Sequence, residues 1–416
     1  MQLKDPKGGA IAAAALTLLG GATPSQAEEK RWLFDTAMLF YTEGADRVYA
    51  FEPKLAATLD LRNGGAVNAG FTVDVLTGAS PNGAAPSNQP QTFTTPSGNS
   101  SFTAAPGELP LDPSFKDTRF AGELGYTMPF GDANKLNVHG NASTEYDYRS
   151  LGGGATISRD FNLHDTTVSL GVNASRDSIN PVGGAPTPLA EKTGAGGGPD
   201  QSKTVLDGLF GVTQVLSTTS LMQVNYSLSR STGYLNDPYK VVSVVDADGD
   251  PVRYLFESRP DSRLKHAAFV QYKKFVIDRD VLEVSYRFMT DDWGIDSHTG
   301  DATYRFNFAG THYLEPHLRW YRQSAADFYR VALDDGEPVT YASGDPRLGA
   351  FDGVTVGLKY GQTSWGNLQW STRLEYYKQI GRVDGLPPVA GAALDKLDVA
   401  PDLNVIMLTL GARFRY

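Results

Sequence analysis

The chain has 416 residues, 44 glycines, no cysteine and a formal charge of −10. Without cysteine there is no disulfide staple, no thiolate metal site and no thiol nucleophile. The acidic balance argues against a nucleic-acid partner, because phosphate binding needs clustered Lys and Arg. No apolar run after the N-terminus approaches the roughly 20 residues of a membrane helix.

At the start, Lys4 and Lys7 flank the approach to the apolar run GGAIAAAALTLLGG, and the small-residue stretch TPSQA ends at Ala27. That pattern predicts a secretory signal peptide over 1–27, leaving 28–416 as one domain. Thereafter the repeating signal is a period-two alternation rich in Tyr, Phe, Val and Thr, broken by Gly, Asn and Asp turns. It predicts strands at 30–42, 46–61, 65–77, 115–129, 134–149, 153–162, 165–177, 203–216, 219–234, 262–277, 280–293, 297–310, 313–331, 348–361, 366–382 and 400–416. Polar segments at 78–112, 178–202, 235–261, 332–347 and 383–399 separate them.

Connection lengths alternate. Asn63-Gly64, GDAN at 131–134, NLHD at 162–165, STTS at 217–220 and DRD at 278–280 are tight, and the long polar segments fall between them. In a membrane barrel short turns face the periplasm and long loops face outside. With the first strand starting at the periplasm, every long segment lands outside. The strand faces agree: Val168, Leu170, Val172 and Ala174 alternate with Thr167, Ser169, Gly171, Asn173 and Ser175. About sixteen strands closed with the apolar face inward would leave a lumen too wide for side chains to fill. With that face outward, lipid takes the apolar side and closure satisfies every backbone group. The fold class is therefore all-β, a transmembrane antiparallel up-and-down β-barrel of about 16 strands in the bacterial outer membrane.

The last strand follows the same rule. Leu408, Leu410, Ala412, Phe414 and Tyr416 share one face. Gly411, Phe414 and Tyr416 form a terminal pattern resembling the signal read by the barrel-insertion machinery, which with outer-membrane lipid is an expected partner.

Catalytic signatures are sparse. There is no nucleophile elbow, no paired His at metal spacing and no phosphate-cradling loop, and neither metal nor cofactor is implied. The run DADGD, Asp246 to Asp250, resembles part of a calcium loop. It lacks the distal Glu, and the flanking valines and Val252, Tyr254 and Phe256 favour a hairpin turn. Dense polar-aromatic words cluster at strand ends expected outside: TEYDYRS (144–150), GYLNDPYK (233–240), SRPDSR (258–263), DDWGIDSHT (291–299), AADFYR (325–330) and GDPRL (344–348). Strand parity predicts one lumen face for Glu145, Asp147 and Arg149, and a lumen position for Asp327. Two readings stand side by side: a charged mouth that selects solutes, or a salt-bridged rim that folds the loops.

The words FYTEGADRV (40–48), EYDYRS, GYLNDPYK, RPDSR, DDWGIDSHT and ADFY, in this order, resemble the bacterial family of domain of unknown function 3570 over nearly all of the chain after the N-terminal segment. The resemblance implies an exported outer-membrane barrel. Its words mark Asp147, Asp237, Tyr239, Lys240, Arg259, Arg263, Asp292, Trp293, His298, Asp327 and Tyr329 as mouth candidates, with no role attached to any of them. The resulting reading is a porin-like channel or uptake protein for a solute. The first alternative is a non-transporting surface receptor or scaffold for a periplasmic or surface partner, which a plugged lumen would favour. The second is a barrel enzyme, which would need a Ser–His–acid set at the rim. Homo-oligomer formation is left open.

Overall fold

Strands of alternating β-branched or aromatic and small polar residues have one face suited to hydrocarbon and one to water. In the computed structural model, which describes residues 32–44, 47–277, 279–365 and 367–416, they close into a ring. The first strands are β1 (Trp32–Glu43), β2 (Val48–Asp60), β3 (Ala66–Pro81), β4 (Gln91–Thr94), β5 (Ser101–Ala104), β6 (Leu111–Phe130) and β7 (Asn134–Thr144). They are followed by β8 (Tyr148–Phe161), β9 (Thr166–Ile179), β10 (Gln201–Ser217), β11 (Ser220–Gly233), β12 (Val241–Val245), β13 (Pro251–Phe256) and β14 (Ser262–Phe275). The last are β15 (Val281–Asp291), β16 (Asp296–Phe308), β17 (His312–Gln323), β18 (Ala332–Asp334), β19 (Phe351–Trp365), β20 (Leu368–Gly381) and β21 (Leu403–Arg415). Sixteen of them form the closed antiparallel barrel, in the order β1-β2-β3-β6-β7-β8-β9-β10-β11-β14-β15-β16-β17-β19-β20-β21. The expected signal peptide, residues 1–27, lies outside the described residues.

Closure is made by β1 against β21, in register from Leu33 with Arg415 to Glu43 with Val405. Trp32 N–H donates to the Tyr416 carbonyl at 2.9 Å, and Tyr416 N–H returns the bond to Trp32 at 2.8 Å. Phe414 stacks on Phe34 with ring centroids 4.8 Å apart. Gly411 sits where a Cβ would press on Ser371 Oγ at 3.0 Å. The three residues of the expected insertion signal thus belong to the seam, where an open edge would leave backbone groups unpaired in lipid.

Parity separates the two faces. On β9, Leu170 and Val172 are exposed on the outer wall, while Ser169 and Asp177 are buried on the inner wall. On β20, Leu374 and Tyr376 point out, and Arg373, Glu375 and Tyr377 point in. Outward aromatics gather in belts at both ends. Trp32, Phe34 and Phe414 stack at the tight-turn end, as do Phe306, Phe308, His312 and Tyr360. Tyr286, Phe288, His298 and Trp320 cluster at the other end. Two aromatic girdles flanking an apolar band are the outer surface of a membrane barrel.

The alternation of connections is as expected, with some limits moved. The long segments run 82–110, 180–200, 234–261, 324–350 and 382–402, because β3 and β6 extend beyond the expected strand ends and β17 stops at Gln323 instead of 331. The turn between β7 and β8 comes at Glu145–Asp147, three to five residues before the expected break. Its backbone is held by Glu145 N–H donating to the Tyr148 carbonyl at 2.6 Å. The DADGD run is a hairpin turn between β12 and β13, in which Asp246 Oδ1 accepts from the N–H groups of Asp248 and Asp250 at 3.0 Å each. Gly249 takes φ +83° there, a left-handed conformation that a side chain would strain.

Candidate functional site

The long segments fold on one another. The sequence VVSVV of β12 has no polar residue but Ser243 and is buried throughout. It pairs antiparallel with β13 and parallel with β18, so segments 234–261 and 324–350 share one small sheet. Segment 82–110 joins them: Val241 N–H donates to the Asn82 carbonyl at 2.9 Å, and Ala85 N–H to Ser243 Oγ at 3.0 Å. The backbones pack so closely that a Cβ on Gly83 would strike the Val241 carbonyl, and one on Gly344 the Gly83 carbonyl. Segment 382–402 contributes Ala390, Leu394 and Val399 to an apolar core with Val245, Trp293, Phe328, Tyr329 and Leu348.

The ring order locates this body. Its three main segments leave the barrel between β3 and β6, between β11 and β14, and between β17 and β19. These points are six, four and six staves apart around the ring of sixteen, so they lie on different sides of the mouth. Segments that start so far apart and meet in one core must cross the axis. They form a lid over the barrel mouth.

Buried charge holds the lid. Arg259 bonds Glu257 at 2.9 Å and Asp345 at 2.8 Å. Arg347 bonds Asp345 at 2.5 Å and Asp237 at 2.6 Å. Ser343 Oγ donates to Glu257 at 2.5 Å, and Lys240 Nζ donates to the Pro81 carbonyl at the end of β3. Burial alone would raise the Asp345 carboxyl, but Arg347 and Arg259 outweigh it and hold the group far below the usual carboxylate range. At Asp237 burial also raises, and Lys240 and Arg347 win, so its carboxyl is lowered. At Glu257 burial prevails over Arg259 and the carboxyl is raised. Carboxylates as deep as Asp345 and Glu257 are tolerated only when paired and hydrogen-bonded.

Most of the mouth candidates meet here. Tyr239 donates to Asp147, and its oxygen accepts from Val182 N–H at 3.0 Å, tying the β7–β8 turn to segments 180–200 and 234–261. Burial, then the Asp147 carboxylate, pushes the Tyr239 phenol up, so it remains a donor. Arg263 pairs with Asp291 and lies over the Trp293 ring at 4.4 Å, while Trp293 Nε1 donates to the Ser262 carbonyl at 2.8 Å. Asp292 accepts from Leu264 N–H at 2.8 Å. Tyr329 is buried in the lid core.

Three expectations are corrected. Glu145, Asp147 and Arg149 do not share a lumen face. The first two are in a turn, and Arg149 has the parity of Leu151 and Ile157 on the outer wall, because the early turn shifts the frame of β8. Asp327 is not on a strand. It is exposed in segment 324–350, with its N–H donating to the Trp293 carbonyl at 2.9 Å. His298 faces outward, its Nδ1 2.6 Å from Tyr286 Oη, and belongs to the aromatic belt. The reading from residue types missed Glu257, Asp345, Arg347 and Ser343. Asp345 and Arg347 carry opposite charges two residues apart in the word GDPRL, and Glu257 and Ser343 stand just before SRPDSR and GDPRL, but pairing between distant segments is not visible in a word.

Below the lid, the inner wall of β16, β17 and β20 carries a linked set of charges. His317 bridges Glu375 at 2.6 Å and Asp301 at 2.9 Å. Glu315 receives Arg305 at 2.8 Å and Arg373 at 3.0 Å.

Among solved structures, similar folds include a bacterial polysaccharide outer membrane secretin, at 8% identity over 94% of this chain and 100% of that chain, with a TM-score of 0.46. A mutant of the ferric enterobactin receptor PfeA from Pseudomonas aeruginosa, in complex with enterobactin, is 9% identical over 88% of this chain and 56% of that one, TM-score 0.44. The chain thus spans about half the length of that receptor. The TodX deltaS2S3 mutant monoaromatic hydrocarbon channel is 10% identical over 94% and 91%, TM-score 0.42. At these scores none carries an argument about function. No curated protein sequence matches the chain. The sequence profile described as "Protein of unknown function (DUF3570)" matches residues 8–414, and the chain belongs to that family.

Proposed function

We propose that the protein is a lidded uptake channel of the outer membrane, exported by residues 1–27 and oriented with the lid outside. The observation that carries this reading is the combination of a folded lid across one mouth with a polar inner wall beneath it. Arg287, Arg319 and Glu123 on that wall remain exposed in the middle of their strands, as side chains in a water-filled lumen do. An open porin has no use for a buried ionic core over its mouth. A barrel that admits solute only when the lid yields does. The second reading, a non-transporting surface receptor or scaffold, is favoured by that same core, since a lid so well paired could be permanent.

Orientation has a direct check. In this cysteine-free chain, a cysteine placed at Asn99 should react with an impermeant maleimide on intact cells, and one at Thr218 should not. The reverse pattern would put the lid in the periplasm.

Conductance tests the function. Purified protein in a planar bilayer should show brief openings on a low baseline, and loosening the lid with Asp345→Asn should lengthen them. A large steady conductance of the unaltered protein would contradict a closing lid. Silence of both proteins would reject passage and favour the receptor or scaffold.

A further inference from the structure

We infer that the lumen separates charge by wall, and that the solute it admits is a small zwitterion. The inference rests on the uptake reading above and adds the chemical class. It comes from parity and ring order together. On the arc from β2 to β10, the inward positions several residues in from the strand ends carry Glu52, Asp74, Glu123 and Asp207, against Lys54 and Arg119. On the arc from β15 to β20, the matching positions carry Arg287, Arg305, Arg319, Lys359 and Arg373, against Asp301, Glu315 and Glu375.

Two further features sharpen the division. Arg119 is drawn to Asp74 at 3.7 Å, so that pair is neutral and Glu52, Glu123 and Asp207 stand against Lys54 on the acidic arc. Glu375 is held by His317 at 2.6 Å and approached by Arg373 at 3.7 Å, Asp301 is held by His317 at 2.9 Å, and Glu315 is held by Arg305 at 2.8 Å and Arg373 at 3.0 Å, so all three of these acids of the basic arc are engaged. Arg287 and Arg319 are exposed into the lumen, and so is Glu123 on the other side.

The two arcs face each other. β2, β3, β6 and β10 take the second, third, fourth and eighth places in the ring, and β15, β17, β19 and β20 the eleventh, thirteenth, fourteenth and fifteenth. Their centres are about half a circumference apart. Fixed charges of opposite sign on facing walls set a field across the channel. A simple cation or anion gains at one wall what it loses at the other. A molecule carrying both charges gains at both walls when its ammonium turns to the acidic arc and its carboxylate to the basic arc. Rings and walls of fixed charge select in this way at close quarters.

The experiment uses the full barrel with Asp345→Asn as the loosened-lid background. One variant removes the exposed or half-exposed acids, Glu123→Gln with Asp207→Asn. The other removes the exposed bases, Arg287→Gln with Arg319→Gln. Assembly of each is verified by heat-modifiable migration. In a potassium chloride gradient, loss of the acids should shift the permeability ratio toward chloride, and loss of the bases toward potassium. Each shift should be about two- to fourfold, the size Coulomb's law gives for two charges about 10 Å from an ion in water. In swelling assays on vesicles, free glutamine, a zwitterion, should enter faster than ribose, which is uncharged and of similar mass, and either variant should abolish that preference. Conduction with no shift, or with shifts of one sign, would overturn the inference and leave the channel standing. Conduction with the expected shifts but no preference for glutamine would overturn the assignment of the solute. No conduction in any protein would overturn both readings.

Discussion

Replacing Asp345 with Asn is expected to loosen the lid by about 3–5 kcal/mol, the usual cost of removing one partner from a buried ion pair. Asp345 is almost fully buried and serves two arginines, Arg259 and Arg347. The substitution leaves both guanidinium groups in the lid with one anion fewer. Glu257 and Asp237 remain, each already committed to one of them. Cleavage of segments 82–110 and 324–350 by an added protease, which reports the open population when closing is fast, should rise roughly a hundredfold or more. The barrel itself should keep its heat-modifiable migration, because no strand pairing passes through Asp345. Unchanged cleavage would mean that the ionic core does not hold the lid.

The same groups fix a pH window. Asp345 and Asp237 have folded-state carboxyls below the usual range, so their stabilisation is complete above the ordinary Asp value of about 3.9. It is lost as pH falls through their lowered values. Glu257 is raised and acts with the opposite sign: its contribution is present below the ordinary Glu value of about 4.3 and is lost as pH rises through its raised value. With two lowered carboxyls against one raised, and Asp345 the most strongly shifted, acid below about pH 4 should open the lid. The acid dependence should be much weaker in Asp345→Asn.

Deleting Phe414 to Tyr416 is expected to abolish membrane assembly. The deletion removes both terminal hydrogen bonds between Trp32 and Tyr416 and the stack of Phe414 on Phe34. It also removes two register pairs of the seam, Phe34 with Phe414 and Leu33 with Arg415. In water such a loss frays a strand end. At a lipid boundary each freed backbone group costs several kcal/mol. Immunoblots of membrane fractions should show the truncated chain degraded or soluble. Recovery of the full amount as a heat-modifiable barrel would show that the seam closes without these residues.

The barrel was legible because two local signals agree along the chain. Parity in segments such as 165–175 separates a lipid face from a water face, and the tight turns fall at every second connection. The misplaced turn at Glu145–Asp147 has a physical reason. Tyr146 and Tyr148 are good strand residues, and the turn contains neither Gly nor Pro, so the alternation reads straight through it. One early turn moved Arg149 to the outer wall. Similarly, the aromatics of AADFYR continue the pattern of β17 but bury Phe328 and Tyr329 in the lid. His298 was legible by parity, since Ala302, Tyr304 and Phe306 share its face. Its place in a polar word pointed the other way.

The lid is the part that local signals do not reveal. Tyr239 finds Asp147 across 92 positions, and Arg347 finds Asp237 across 110. Such pairings are decided by where the barrel brings its loops, so the words that mark them look the same whether they line a mouth or close it.

A reversible lock on the lid tests whether solute passes only when the lid moves. Ser258 and Ala342 join segments 234–261 and 324–350, each N–H donating to the other's carbonyl, at 2.8 and 2.9 Å. Such a pair places its Cα atoms about 5.5 Å apart, within the reach of a disulfide. With Ser258→Cys and Ala342→Cys in this cysteine-free chain, single-channel recording before and after reduction reads the lid alone. The oxidised protein is expected to be silent, and reduction should restore the brief openings of the unaltered barrel. Equal conductance in both states would contradict this, because solute would then pass without the lid moving.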